Sequence, residues 1–262
     1  MGRDVVLIHG ASEVGEHLTE MRHHFEQRDW TVHTPTLRHH DENAPDQAKL
    51  VGGVSLREYV ADLTDLTRTL DTPLIGGFSL GGLIAQLVAA RTPHRGLFCL
   101  APSPAPGMRG PLPSLLVLGP HFLRPFPWRK PVRPMSWEMW RRYVANAHDE
   151  KRARETYDSH LRSESGRAYW ELGFYFLDPH RAARIDYEAV TGPVLVTGGS
   201  QDRMISTEVP RQTAARYANG KFVEIDADHM QIFGPSLPAV LRHIDEWIDE
   251  HHLANEPHRT HP

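Results

Sequence analysis

Six short apolar runs, set apart by helical and loop-like stretches, constrain what this chain can fold into more than any other feature. They are Val5–His9, Thr31–Pro35, Leu74–Phe78, Leu97–Ala101, Val194–Gly198 and Phe222–Ile225. Four of them are hydrophobic throughout instead of alternating, the pattern of parallel strands covered on both faces. Amphipathic helical runs lie between them. One spans Glu16 to Gln27. A second, Leu56 to Leu70, sets Leu56, Tyr59, Val60, Leu63, Leu66, Thr67 and Leu70 on one face at spacings of three and four. Ser55, with Glu58 three positions on, gives that helix a capping-box start. Leu237 to Ile248 forms a closing helix with Leu237, Val240, Leu241, Ile244, Trp247 and Ile248 inward. Strands alternating with helices predict an α/β fold with a doubly wound, mostly parallel sheet of about six strands.

The alternation breaks between Ala101 and Val194. Ten of the 21 prolines fall between Pro102 and Pro134, which excludes continuous helix or a central strand there. Three helix-like segments follow, Trp137–His148, Glu150–Leu161 and Ser165–Leu177, rich in aromatic residues. Residues 103–187 therefore read as a helical cap inserted after the fourth strand and packed over the carboxyl end of the sheet. Residues 1–102 and 188–262 make the core, and 262 residues suffice for one such domain. The polar tail, His251 to Pro262, is expected to fray.

The third apolar run ends in Gly77-Phe78-Ser79-Leu80-Gly81 and opens a helical run, Gly82-Leu83-Ile84-Ala85-Gln86-Leu87. A serine on such a strand–turn–helix junction is placed as a nucleophile, and the glycines on either side leave room for strained backbone. Serine is also a favoured helix N-cap, but a cap needs no flanking glycines. A serine hydroxyl needs a base in hydrogen-bond reach and an acid behind that base. The fifth run ends in Gly198-Gly199-Ser200-Gln201-Asp202 and the sixth in Asp226-Ala227-Asp228-His229-Met230. Ser79, Asp202 and His229 are thus correctly typed residues, each just past a strand, where loops converge at the sheet edge. Asp202 could also serve only as a turn residue. Asp226 and Asp228 lie too near His229 in sequence to approach its ring from behind, so they are expected to form the turn or face solvent.

These motifs resemble those of the α/β-hydrolase fold superfamily of serine-esterase type. The resemblance covers Val5–Ala101 and Val194–Ile248, with the cap where that family inserts its variable one. It implies Ser79 as nucleophile, His229 as base then acid, and Asp202 as the orienting carboxylate. His9-Gly10 resembles the oxyanion loop, which implies the backbone N–H groups of Ala11 and Leu80 as oxyanion donors. The first run corresponds to the family's third strand, so the antiparallel hairpin that usually precedes it is expected to be missing or reduced. The resemblance further implies hydrolysis of a small to medium carboxylic ester, lactone or thioester with an apolar group, and no cofactor; Phe78, Trp137, Trp140, Phe174 and Met230 are read as candidate substrate contacts. Carbon–carbon hydrolysis, perhydrolysis, hydroxynitrile lysis and a receptor-like ligand-binding role are its other outcomes. Met230 stands where the hydroxynitrile lyase branch tends to carry a lysine, which favours ester hydrolysis.

Composition excludes several partners. A net charge of −4, from 29 basic and 33 acidic residues, leaves no basic stripe for nucleic acid. No run approaches the ~18 apolar residues of a membrane span. Met1-Gly2-Arg3-Asp4 lacks the features of a secretory signal, so a soluble, cytoplasmic protein is expected. The lone cysteine, Cys99, is read as a buried strand thiol. His23-His24, His39-His40 and His251-His252 diverge in direction and lack carboxylate or thiolate company, so no metal is expected. Arg141, Arg142, Arg152 and Arg154 read as a solvated helix face. Monomer and homodimer both stay open.

Overall fold

The computed structural model describes residues 3–108, 112–159 and 162–254. Its six strands are β1 (Asp4–Ile8), β2 (Thr31–His33), β3 (Leu74–Phe78), β4 (Gly96–Leu100), β5 (Val194–Gly199) and β6 (Gly220–Ile225). They form one parallel sheet in the order β2-β1-β3-β4-β5-β6. The order reverses between β1 and β3, where Val5 pairs with Leu74 and Ile8 with Gly77. Ligands of open parallel sheets bind outside the carboxyl ends of the strands at such a reversal.

Burial explains the strand sequences. β3, β4 and β5 are buried at every position, and β1 at all but Asp4, so each reads as a continuous apolar run. The two edge strands are partly exposed. Val6, Ile8 and Ile75 face one core layer, shared with α3 (Leu56–Arg68) and α4 (Leu80–Ala89). Val5, Leu7 and Leu74 face the other, shared with α1 (Thr19–Glu26) and α10 (Leu237–Glu250). Trp247 of α10 is fully buried there, edge-on to Phe98. The capping box of α3 forms as its sequence predicts: Arg57 N–H donates to Ser55 Oγ at 3.1 Å and Ser55 N–H to Glu58 Oε2 at 2.9 Å. Two further helices, α2 (Ala44–Val51) and α9 (Glu208–Ala215), complete the layers. The first had a readable start, since Asn43 caps it and Pro45 sits in its first turn.

Between β4 and β5 the chain builds the cap from α5 (Leu112–Phe122), α6 (Trp137–Tyr143), α7 (Glu150–Ser159) and α8 (Gly166–Gly173). The proline-rich stretch is not continuous helix, yet it holds α5, which tolerates Pro120 in its last turn at the loss of one intrahelical amide bond. α6 is shorter than the sequence suggests because side chains claim the next backbone groups. The Arg141 guanidinium donates to the carbonyls of Ala145 and His148, and Asp228 accepts the Ala147 N–H. α8 starts on its Ser165 cap and stops at Gly173, with a separate 3-10 turn at Tyr175–Leu177. The end expected for the second cap helix, residues 160–161, lies outside the described residues.

Two expectations need correction. The tail does not fray from its start. Leu253 is buried, and its carbonyl accepts from Arg95 Nη1 at 3.0 Å. Residues 255–262 lie outside the described residues. The arginines of α6 and α7 are only partly a solvated face: Arg141 binds carbonyls, Arg152 pairs with Glu20 at 2.7 Å, and Arg154 lies over the Trp137 ring. Cys99 is buried, and burial pushes its thiol pKa up. Among the described residues no helix is long and apolar enough to cross a membrane.

Candidate active site

The turn after β3 is strained at one residue. Ser79 has φ 53° and ψ −117°, which non-glycine residues rarely adopt, and its side chain caps no helix amide. Its N–H donates to Leu100 O at 2.9 Å, while its carbonyl accepts from Gly82 and Ser103. Both motif glycines serve close approach and not left-handed backbone. A Cβ on Gly77 would meet Gly81 O at 2.2 Å, and one on Gly81 would meet Ile8 O and His9 O at 2.3 Å. The motif therefore packs the first turn of α4 against β1 and β3 and leaves the serine hydroxyl outward.

His229 Nε2 lies 3.0 Å from Ser79 Oγ and its Nδ1 lies 2.8 Å from Asp202 Oδ2. The Asp202 side chain is fully buried, and its Oδ1 accepts the N–H groups of Met204 and Ile205, each at 2.8 Å. Those amides fix the carboxylate, which fixes the imidazole with its proton on Nδ1 and a free pair on Nε2. Burial pulls the His229 pKa down. The charge and hydrogen bond of Asp202, aided by Asp228 and Glu13, outweigh it and hold the pKa above its ordinary value. An imidazole so placed can take a proton from the serine hydroxyl and stabilise the charge it gains.

The loop after β1 faces this relay across the strand reversal. Leu80 opens α4, so its N–H has no intrahelical acceptor, and Ala11 lines the same cavity as Ser79 and His229. His9 lies beneath that loop, fully buried. Its Nε2 accepts Leu37 N–H at 3.0 Å and its Nδ1 donates to Gly10 O at 2.8 Å. Burial first, then neighbouring His40, pulls its pKa down to about 4, so this ring stays neutral.

The cavity has a volume of about 770 Å³, with the sheet-edge loops as floor and the cap as roof. Of the residues expected to contact substrate, Phe78, Trp140 and Met230 line it, with the Phe78 ring centroid 5.1 Å from that of His229. Trp137 and Phe174 are not among its described walls. Trp137 stacks on Trp140 beneath Arg154, and Phe174 stacks on Trp170 beside Phe122, so both spend their faces on packing within the cap.

Sequence reading also missed a set of buried polar groups. Asp228 is neither solvated nor only a turn former. It is buried, its Oδ2 accepts His148 Nδ1 at 2.9 Å and Ala147 N–H at 2.8 Å, and its Oδ1 accepts Met230 N–H at 3.1 Å. Asp226 is exposed and accepts from Ser200 and Gln201. Glu171 of α8 accepts the Leu56 N–H at 2.8 Å and the Ser55 hydroxyl at 2.9 Å, a carboxylate at the N-terminus of α3. Among the described residues no cluster of three or more histidines, cysteines and carboxylates could hold a metal. No local spacing signals the contacts of Asp228 with Ala147 and His148 or of Glu171 with Ser55 and Leu56, because each joins segments far apart in the chain.

The geometry has relatives among solved structures. A pyrethroid hydrolase from Sphingobium faniae superposes with a TM-score of 0.68 at 22% identity, over 95% of this chain and 98% of that one. An extracellular alpha/beta-hydrolase from a Paenibacillus species gives 0.70 at 18%, over 91% and 97%. A thermophilic esterase from Thermogutta terrifontis gives 0.68 at 20%, over 96% and 91%. No curated protein matches the sequence significantly. At these identities the solved structures speak for the fold alone, but residues 5–240 also match the alpha/beta hydrolase family by sequence, and the chain belongs to that family.

Proposed function

We propose that this protein is a serine hydrolase that cleaves carboxylic esters bearing bulky apolar groups, with lactones and thioesters as chemical equivalents. One observation carries the reading. The Ser79–His229–Asp202 relay, with contacts of 3.0 and 2.8 Å, opens into a cavity between the sheet edge and the cap whose walls are chiefly apolar. Its volume of about 770 Å³ falls within the range of sites that enclose a drug-sized ligand. The names of three structural neighbours, a pyrethroid hydrolase, a methylesterase from Arabidopsis and a thermophilic esterase, agree with ester chemistry.

In this reading Ser79 Oγ attacks the ester carbonyl while His229 Nε2 takes its proton. The carbonyl oxygen becomes negative and is held by the Ala11 and Leu80 amides. Collapse expels the alkoxide, which leaves as alcohol with the proton from His229. Water then attacks the acyl-enzyme through the same base, and the acid departs. Met230, not a lysine, follows His229 on the cavity wall, which favours ester hydrolysis over cyanohydrin lysis.

The test pairs turnover with labelling. A fluorophosphonate is expected to label the protein once, at Ser79, and Ser79→Ala is expected to lose both the label and about 10⁴-fold or more of ester turnover while keeping its melting temperature. A folded wild-type protein that resists the label and leaves esters intact would instead support a ligand-binding role.

A further inference from the structure

The relay leaves unused a second group of buried polar side chains, gathered under the loop after β1. Glu164, on the cap segment that pairs with Val132, reaches across 152 positions to that loop. Its Oε2 accepts the Ser12 N–H at 3.2 Å and His40 Nε2 at 3.1 Å. Its Oε1 accepts the Tyr59 hydroxyl at 3.0 Å and the Ser165 N–H at 2.7 Å. The Glu164 and His40 side chains are almost fully buried. On the near side of the loop, Glu13 Oε2 accepts the Gly10 N–H at 2.7 Å. The amides on both sides of Ala11 are therefore each held by a carboxylate. The Ala11 amide lies between them, and Ser12 next to it sits at φ 63°, a backbone state that surroundings must hold in place.

A carboxylate beside an oxyanion site would oppose the charge that forms there, unless it is paired. Burial pushes the Glu164 pKa up, but His40 and the bonds from Ser12 and Ser165 hold it down to about 2. Burial pulls His40 down, and Glu164 more than offsets it. Glu164 is thus held as the carboxylate, and its contact with His40 favours the protonated form of that ring. His9, whose ring centroid lies 5.5 Å from that of His40, stays neutral and adds no charge.

We propose that Glu164 is a positioning residue for the reaction: from the cap it fixes the Ser12 amide, and through it the Ala11 oxyanion donor, while His40 pairs with its carboxylate. The cap then completes the oxyanion site as well as roofing the substrate. This inference rests on the ester-hydrolase reading.

Glu164→Gln tests it. The amide nitrogen of glutamine cannot accept, so part of the Ser12, His40, Tyr59 and Ser165 set is lost, and His40 loses its counter-charge. Loss of an oxyanion donor costs about 10²–10³ in rate, and a displaced donor less. Per site titrated with fluorophosphonate, kcat is expected to fall about 10- to 100-fold with KM within about 3-fold. Affinity for a trifluoromethyl ketone, which forms the oxyanion, should fall by the same factor as kcat, while affinity for the unreactive amide analogue of the substrate stays level. A purely structural role would lower the melting temperature and the number of titratable sites, yet leave each site turning over and binding the ketone like wild type; that result overturns the proposal. Should Glu164→Gln not fold, His40→Gln keeps a donor toward Glu164 but leaves its charge unpaired. The same paired loss of kcat and ketone affinity is then expected, and unchanged values overturn the proposal. A wild-type protein without ester turnover or ketone binding would fail the hydrolase reading itself, whereas an active wild type with an indifferent Glu164→Gln fails only this inference.

Discussion

The carboxyl edge of the sheet and the cap above it contribute to the same cavity by opposite means. At the edge, each group proposed to react stands a few residues past a strand. Ser79 follows β3, Asp202 follows β5, His229 follows β6, and Ala11 follows β1. Sheet register places them, and short-range contacts such as Met204 and Ile205 N–H on Asp202 refine them. Among the described residues the cap has no strand to register it. It is held by buried carboxylates whose partners lie far away in sequence, Glu164 on Ser12, Glu171 on Ser55 and Asp228 on His148, separated by 152, 116 and 80 positions. The edge is built by topology and the cap by individual polar bonds, so single substitutions should act very differently in the two.

The largest effect expected, short of removing the nucleophile, is at the edge. Asp202→Asn keeps the size of the side chain but turns an acceptor into a donor toward His229 Nδ1, which selects the wrong tautomer. Turnover should drop by about 10³–10⁴-fold. The pH profile gives a second readout. Wild-type activity should rise with pH as His229 loses its proton, since the protonated ring cannot accept from Ser79. Its midpoint should lie above the ordinary imidazole value of about 6.5, because Asp202 raises the His229 pKa. Without that carboxylate the residual activity should show a lower midpoint. Near-normal turnover, or an unmoved midpoint, would transfer the acid role to another residue and end the claim that the edge alone assembles the relay.

Asp228 sits at the junction of the two regions and should give an intermediate result. Asparagine there cannot accept from His148, Ala147 and Met230 together, so at least one buried donor is left unpaired, at a cost of about 1–3 kcal/mol. A lower melting temperature is expected, with kcat reduced about 10-fold because the neighbouring His229 loses part of its support. A melting shift with wild-type kcat would mean that the clasp holds the cap in place but does not orient the imidazole.

The same contrast explains what was legible in the sequence. The six strands, the parallel sheet, the helical insertion and the three relay residues follow from local pattern, since each depends on residues within a few positions. Helix α2 had a readable start in Asn43 and Pro45 that alternation alone passes over. The inward-facing residues of the cap were not legible in the same way. Trp140 reaches the cavity while Trp137, three positions earlier, stacks on it from behind, and no periodicity within one short helix says which face meets the sheet edge. Asp228 looked like a turn residue because the segment that buries it, Ala147–His148, belongs to another part of the chain. Glu164 carries no local signal at all.

The smallest effect should come from the cavity walls themselves. Five of the seven methionines, Met108, Met135, Met139, Met204 and Met230, line the cavity. Methionine is unbranched and polarizable, so it fits several apolar shapes without fixing one. A wall made this way should discriminate weakly, since a methylene more or less in an apolar pocket is worth roughly 10–200-fold at most and an adaptable neighbour recovers part of it. Met139→Ala, in α6 and away from the relay, is therefore expected to leave kcat on a small ester near wild type. It should shift the ratio of kcat/KM between esters with short and branched acyl groups by less than about 10-fold. Competition assays with paired esters measure that ratio directly. A switch beyond about 100-fold would show that the cap imposes shape as strictly as the sheet edge imposes geometry, and the two regions would then differ in how they are held but not in how they select.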